Sequence, residues 1–239
     1  LEPNQVLGRA NKYFLKSCKK IFCYSEKIKN FPDDSKDKII TINPLVKENV
    51  YNLKKSEKIK DEFTLLIVGG SQGAKFFDGS LKKTIVNISK KPKIKIIQQT
   101  VDKNINSLTN FYSQNHIENK IFSFDKDFTR YIQEADLCIT RAGASTLAEL
   151  SITNTPFIAV PLPTSKDNHQ MENANFYKEN NSCWIIEQIN FEKKIEEFLI
   201  DILNNKSDYL NKKENLKKLN YQNTWINVNQ KILKIINEN

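Results

Sequence analysis

Phe63-Thr64-Leu65-Leu66-Ile67-Val68-Gly69-Gly70-Ser71-Gln72-Gly73-Ala74 is an apolar run that passes directly into glycines. The chain holds only six glycines, and Gly69, Gly70, Gly73 and Gly79 fall within eleven positions of one another. Such clustering needs a local cause. Where a strand passes into a helix, glycine permits a tight turn and close approach of a ligand, and the exposed amides at the helix start suit an anion. The spacing is neither G-x-G-x-x-G nor a Walker loop, and on residues alone a turn capped by Ser71 explains it equally well.

The same alternation extends in both directions. Apolar runs at 63–68, 94–98, 120–124, 136–140, 156–160 and 183–186 predict strands, each separated from the next by a helix-length stretch. Nearly continuous apolar strands in βαβα order predict a parallel sheet covered on both faces, an α/β fold. Phe77, Leu81, Ile85 and Ile88 recur at helical spacing, as do Phe191, Ile195, Phe198 and Ile202. Before these, a helix over 10–19 feeds a short strand at 21–24, and a second strand over 38–42 stops at Asn43-Pro44. After an Asn- and Lys-rich stretch, Trp225, Val228, Ile232 and Ile235 or Ile236 mark a last amphipathic helix.

Composition narrows the class. The 239 residues, 39% hydrophobic and 27% charged, suit a globular chain with a sizeable core. No apolar stretch approaches the ~20 residues that cross a bilayer. The net charge of +9 is spread over lysines dispersed among Glu, Asp and Asn, which reads as a solvated surface before it reads as a nucleic-acid interface. Cys18, Cys23, Cys138 and Cys183 form no C-x-x-C pair and predict reduced core thiols in a cytosolic protein.

Two further polar turns follow predicted strands. Arg141-Ala142-Gly143-Ala144-Ser145-Thr146-Leu147-Ala148-Glu149 again brings small residues to a helix start, where the dipole favours phosphate. Thr146 and Glu149 share a helical face, so the carboxylate is placed to accept from two ribose hydroxyls; the same pair also reads as a capping box that binds nothing. Beyond residue 161, Asn168, His169, Gln170 and Asn173 put more amide and imidazole groups into one turn than capping requires, a set suited to sugar hydroxyls. Asp167 and Gln170 fit a second capping box. Neither a metal-binding motif nor a Ser-His-Asp arrangement is evident. Three such turns at one end of an open parallel sheet predict a nucleotide-diphosphate ligand.

In that order and spacing, VGGSQGA, TRAGASTLAE and PLPTSKDNHQMENA resemble the MurG family of GT-B glycosyltransferases, and the opening LEPNQVLGRANK is similar to that family's E-Q-N-x-x-x-G-x-x-N stretch. The resemblance implies a Rossmann-like C-terminal donor lobe over residues 44–220, the end of an N-terminal acceptor lobe over 1–43, and a helix at 221–239 packing back on that lobe. It implies transfer of N-acetylglucosamine from UDP-GlcNAc to the undecaprenyl-linked lipid I to give lipid II, with inversion and with no metal or cofactor. By resemblance, Asn4, Gln170 and Asn173 hold the sugar with His169 beside them, and Glu149 holds the ribose. Ser71, Gln72, Ala144, Ser145, Thr146 and Leu147 surround the diphosphate, and Phe124 and Asp125 lie by the uracil. The family's glycine-rich loop with its histidine, the expected source of the general base, is missing, so the chain reads as part of a longer protein. Where the family has Asn-Pro-Val-Arg, this chain has Asn43-Pro44-Leu45-Val46-Lys47, which leaves Val46 or Lys47 in the place of the cation.

The family's setting implies peripheral contact of the full protein with an anionic membrane on the cytoplasmic face of the inner membrane, and no nucleic-acid partner. Three rival readings are an Alg13-like half-transferase, a UDP-sugar 2-epimerase, whose acid/base set is not found, and a basic nucleic-acid-binding protein, whose binding would fall steeply with salt.

Overall fold

The computed structural model describes residues 1–53, 62–89, 93–126, 128–220 and 224–238, with backbone alone for 71–73. Strands β1 (Ile21–Cys23) and β2 (Ile39–Thr41) form a small parallel sheet near the N-terminus. The main sheet contains β3 (Glu62–Val68), β4 (Lys93–Gln99), β5 (Glu118–Phe122), β6 (Leu137–Thr140), β7 (Phe157–Ala159) and β8 (Trp184–Ile185). Their order is β5-β4-β3-β6-β7-β8, and the pairings are parallel. From β3 the chain therefore winds outward to one edge, returns to β6, and winds to the other, the doubly wound arrangement.

Alternation along the central strands divides the core into two layers. Leu65 and Ile67 of β3, with Leu137 and Ile139 of β6, face one cluster, whereas Leu66, Val68 and Cys138 face the other. The first layer is covered by α3 (Gly70–Ser80), α4 (Lys82–Ile88), α5 (Ile105–Gln114) and α9 (Phe191–Asn204), through Phe77, Ile85, Leu108, Phe191 and Ile195. The second is covered by α6 (Thr129–Glu134), α7 (Ala144–Ile152), α8 (His169–Glu179) and α10 (Lys206–Leu219), through Ile132, Leu147, Leu150, Ala174 and Leu216. Each fully buried Leu, Ile or Phe contributes about 1.5–3 kcal/mol. A third cluster of Leu7, Leu15, Ile21, Cys23, Ile28 and Phe31 lies beneath the small sheet. The four cysteines are free thiols, with Cys18 only half-buried; burial raises Cys23 to about 11 and Cys183 to about 12.

Several boundaries differ from the sequence expectation. The helix expected over 10–19 is α1 (Arg9–Phe14), which ends where the Leu15 carbonyl accepts from Lys38 Nζ at 2.8 Å. The stretch from Phe77 to Ile88 is two helices, with a break at Leu81 (φ −104°, ψ −18°). There Ser80 Oγ bonds back to the Phe76 carbonyl at 2.9 Å, a competitor of the kind that bends helices, while all four apolar side chains stay buried. The strand expected at 120–124 begins at Glu118 and ends at Phe122, so Phe124 leaves the sheet and is 78% exposed.

The last helix, α11 (Trp225–Glu238), buries Val228 and half-buries Trp225, Ile232 and Ile235, leaving Ile236 exposed. It runs against the N-terminal part: Trp225 lies 6.0 Å from Tyr51 of α2 (Glu48–Tyr51), and Lys231 Nζ donates to the Thr41 carbonyl at 2.7 Å. Residues 221–223, included in the expected last unit, lie outside the described residues. Among the described residues no helix is long and apolar enough to cross a membrane.

Candidate functional site

In a doubly wound sheet the ligand crevice opens where neighbouring strands send their connections to opposite sides, here beyond the carboxyl ends of β3 and β6. Val68 pairs with Thr140, and the Arg141 amide donates to the Val68 carbonyl at 3.2 Å. Immediately beyond them α3 and α7 begin, so the first two glycine-containing turns lie side by side.

Gly70 has φ +62°, a left-handed conformation that costs an L side chain dearly. Its amide donates to Gln99 Oε1 at 2.9 Å, and Gln99 Nε2 donates to the Ser123 carbonyl at 3.1 Å. Gln99 thus ties the glycine turn to the end of β5. Ser71 and Gln72 lie in the first turn of α3, and their side chains are outside the described residues.

Across the crevice, Gly143 is the N-cap of α7 and no side chain caps that helix. The first intrahelical bond runs from the Leu147 amide to the Gly143 carbonyl at 3.1 Å, so the amides of Ala144, Ser145 and Thr146 precede it at the positive end of the dipole. Among the described residues a Cβ placed on Gly143 meets nothing within 4 Å, which leaves space before the helix start. Thr146 is the third residue of α7 and no cap, so the capping-box reading of Thr146 and Glu149 does not hold. Leu147 is wholly buried in the second core layer, so its side chain is not at the crevice.

Glu149 is half-buried one turn into α7; burial raises its pKa above the ordinary value and the charge of Lys47 draws it back. Lys47 is the N-cap of α2, which packs against α7. The charge of Lys47 therefore acts on Glu149.

The third cluster is joined to the second by hydrogen bonds. Gln170 Oε1 accepts from the amides of Ala142 at 3.2 Å and Leu162 at 3.0 Å. Asn173, 3% exposed, donates to the Ala142 carbonyl at 3.1 Å and to Asn4 Oδ1 at 3.0 Å, and accepts from the Gln5 amide at 2.9 Å. The N-cap of α8 is Asn168, with no side-chain cap, so the Asp167–Gln170 capping box is also absent. Asp167 and Asn168 are both left-handed (φ 52° and 55°), and such backbone persists where its surroundings determine it. His169 Nδ1 donates to the Lys166 carbonyl at 2.7 Å, since a carbonyl oxygen only accepts.

Asn4 is held in turn by Glu2, a carboxylate buried to 1% exposure. Glu2 Oε1 accepts from the Asn4 amide and Nδ2 at 3.1 and 3.2 Å; Oε2 accepts from the Gly8 amide at 2.6 Å and Asn11 Nδ2 at 2.9 Å. A Cβ on Gly8 would stand 3.1 Å from Glu2 Oε2, a tight contact that a larger residue relieves only by displacing the carboxylate. The opening motif is thus a clasp around one carboxylate. Two ion pairs, Lys29–Glu172 at 2.6 Å and Arg9–Asp167 at 3.5 Å, extend the contact between this segment and the third cluster.

Phe124 and Asp125 lie past the end of β5, beyond the Gln99 tie. The Asp125 Oδ2 atom accepts from Arg130 Nη2 at 2.6 Å and from the Tyr131 hydroxyl at 2.7 Å, which leaves Phe124 as the exposed ring at that edge. Among the described residues no group of three His, Cys, Asp or Glu side chains is placed to hold a metal ion. The sequence signal for Gln99 is a polar residue closing an apolar strand.

The glycosyltransferase family 28 C-terminal domain matches residues 64–224. A UDP-N-acetylglucosamine--N-acetylmuramyl-(pentapeptide) pyrophosphoryl-undecaprenol N-acetylglucosamine transferase from Pelagibacter ubique (strain HTCC1062) is 51% identical over 239 residues, covering all of this chain and 67% of that protein. The protein of the same name from Rickettsia canadensis (strain McKiel) is 36% identical over 210 residues, covering 85% of this chain and 59% of its own length. The crystal structure of Acinetobacter baumannii MurG superposes with a TM-score of 0.74 at 23% identity over 100% of this chain and 66% of that one, a likeness that speaks for the fold. The chain spans about two thirds or less of the length of these relatives. With the doubly wound domain, the two glycine turns at its crevice and these likenesses together, the chain belongs to glycosyltransferase family 28, in its MurG branch.

Proposed function

We propose that this protein takes part in transferring N-acetylglucosamine from UDP-GlcNAc to the 4-hydroxyl of the muramyl sugar of lipid I, giving lipid II for peptidoglycan. The observation that carries the reading is the uncapped start of α7, facing space beside the Gly70 turn and followed by Glu149. The amides of Ala144, Ser145 and Thr146 receive the diphosphate, Glu149 accepts from the ribose hydroxyls, and Phe124 lies against the uracil.

The clasped Asn4, with Gln170 and His169, faces the sugar, and Asn173 holds Asn4 against the Ala142 turn. As the acceptor oxygen attacks the anomeric carbon from the opposite face, the bond to the diphosphate breaks and its electron pair stays on UDP. Configuration inverts, the acceptor proton goes to a base outside the described residues, and the helix-start amides stabilise the growing charge. Residues 1–43 end the acceptor lobe in this reading, 44–220 form the donor lobe, and 221–239 return across them.

A peripheral membrane site on the cytoplasmic face of the inner membrane accompanies the reading. Its support is the exposed pair Tyr13 (80%) and Phe14 (61%) beside the exposed Lys12 and Lys16.

The test is transfer of labelled N-acetylglucosamine to lipid I by this chain extended with its upstream sequence, with EDTA present. Formation of β-linked product that Glu149→Ala suppresses is expected. Failure of the extended protein to transfer would overturn the reading.

A further inference from the structure

The apolar cluster beneath the small sheet shares no residue with the two layers of the main sheet, and the contacts described above between the two are polar: Asn4 and Gln5 with Asn173, Lys29 with Glu172, Arg9 with Asp167. The chain itself passes between them through Asn43-Pro44-Leu45-Val46-Lys47. This connection lies outside any strand or helix, and Pro44 has no N–H to give. Its backbone groups are served by two phenols instead. The Leu45 amide donates to the Tyr24 hydroxyl at 2.9 Å, and the same hydroxyl donates to the Leu45 carbonyl at 3.3 Å. The Pro44 carbonyl accepts from the Tyr51 hydroxyl at 2.7 Å.

Tyr24 stands one residue past β1, half-buried, so a side chain of the N-terminal segment grips both backbone groups of one residue in the connection. It also lies within electrostatic reach of Tyr51 on α2 and of Tyr177 on α8, which places it where the small sheet, α2 and α8 meet. Two residues past Leu45, Lys47 caps α2; that helix packs against α7, and the Lys47 charge acts on Glu149. A phenylalanine at position 24 keeps the ring but leaves an amide and a carbonyl of Leu45 without partners, a cost the connection relieves by turning toward water. Such a turn carries Lys47 with it.

We propose that Tyr24 is a positioning residue for the donor site: its hydroxyl fixes the connection at Leu45 and thereby sets how Lys47 stands toward Glu149, so that the placement of residues 1–43 is felt at the nucleotide crevice. The inference rests on the donor-site reading above and adds to it a residue that touches no ligand. Linkage makes the effect mutual, and a nucleotide held by Glu149 tightens the contact between Tyr24 and Leu45 in turn.

The experiment measures UDP binding by calorimetry on the wild-type chain, Tyr24→Phe, Lys47→Met and the double variant, and follows the Glu149 carboxyl carbon resonance of each through a pH titration. In Tyr24→Phe the UDP affinity is expected to fall about three-fold or more and the Glu149 pKa to rise as the Lys47 charge withdraws. In the Lys47→Met background the same change is expected to leave both unmoved, because its route to the site is gone. A hydroxyl that only braces the fold lowers the melting temperature alike in both backgrounds and leaves the Glu149 titration where it was. That unmoved titration in Tyr24→Phe, or additive losses of UDP affinity in the double variant, overturns the proposal. Should Tyr24→Phe not fold, hydrogen exchange of the Leu45 amide is followed in the wild type: slower exchange with UDP bound is expected, and an unchanged rate overturns the proposal. If the wild type does not bind UDP, the donor-site reading itself falls.

Discussion

Asn173 and Asn4 are 169 positions apart in sequence and joined side chain to side chain, Asn173 Nδ2 donating to Asn4 Oδ1 at 3.0 Å. The same amide group holds the Ala142 carbonyl and the Gln5 amide, so one buried side chain sets the opening clasp against the turn that starts α7. Replacing Asn173 with alanine leaves these buried groups without partners, at about 1–3 kcal/mol. Urea unfolding should show that loss, and UDP-GlcNAc should weaken more than UDP, because Asn4 is released on the sugar side. Equal weakening of both ligands would remove Asn4 from the sugar.

Glu149 is expected to trade stability for binding. Burial raises its folded-state pKa above the ordinary 4.5, so the native state holds that proton more tightly than the unfolded chain does. The resulting penalty is absent below the ordinary value and develops as pH rises through the folded-state pKa. Glu149→Gln should therefore stabilise the unliganded protein at neutral pH and flatten the pH dependence of its unfolding above pH 4.5. The same change should cost about 1.5–3 kcal/mol of UDP affinity, and less with a 2′-deoxy analogue. A stability loss with equal effects on both nucleotides would contradict the assignment.

Lys47 is expected to act on the site through charge. Its field lowers the Glu149 pKa against the effect of burial, so Lys47→Met should raise that pKa further, read from the carboxyl carbon resonance across a pH titration. UDP affinity should fall and become more salt-insensitive. An unmoved Glu149 titration would separate α2 from the site.

Gly70→Ala tests the first turn. Among the described residues a Cβ there meets no atom within 4 Å, so the cost comes from the left-handed φ, about 1–2 kcal/mol of stability or a shift of the turn. Gln99→Met removes the tie to the Gly70 amide without touching φ, and should lower UDP affinity with little effect on the melting temperature. If Gly70→Ala binds UDP as well as the wild type does, the turn does not shape the site.

Much of this was legible in sequence because hydrophobic period and glycine position are local signals. The six main strands, their βαβ order and the crevice end followed from apolar runs that pass into Gly69-Gly70 and Gly143. What local signals could not show is what each polar group is bonded to. Thr146 and Asp167 fit capping boxes by spacing, yet Gly143 and Asn168 take the cap positions. Their residue types suit Asn173 and Gln170 to sugar hydroxyls, yet their side chains are partly or wholly engaged in joining loops distant in sequence. The break at Leu81 escaped notice because the buried face continues across it, and the clasp of Glu2 depends on the close approach of Gly8, which a motif's spacing only hints at.

The central claim is that the crevice between β3 and β6 holds the nucleotide diphosphate. It is tested most directly by an amide-resolved NMR titration of the labelled chain with UDP in EDTA. The account predicts that the largest shifts fall on Gly69, Gly70, Ala144, Ser145, Thr146 and Glu149. Shifts concentrated elsewhere, as around Ile42, Asn227 and Lys231 beside α11, with these six unmoved, would contradict it.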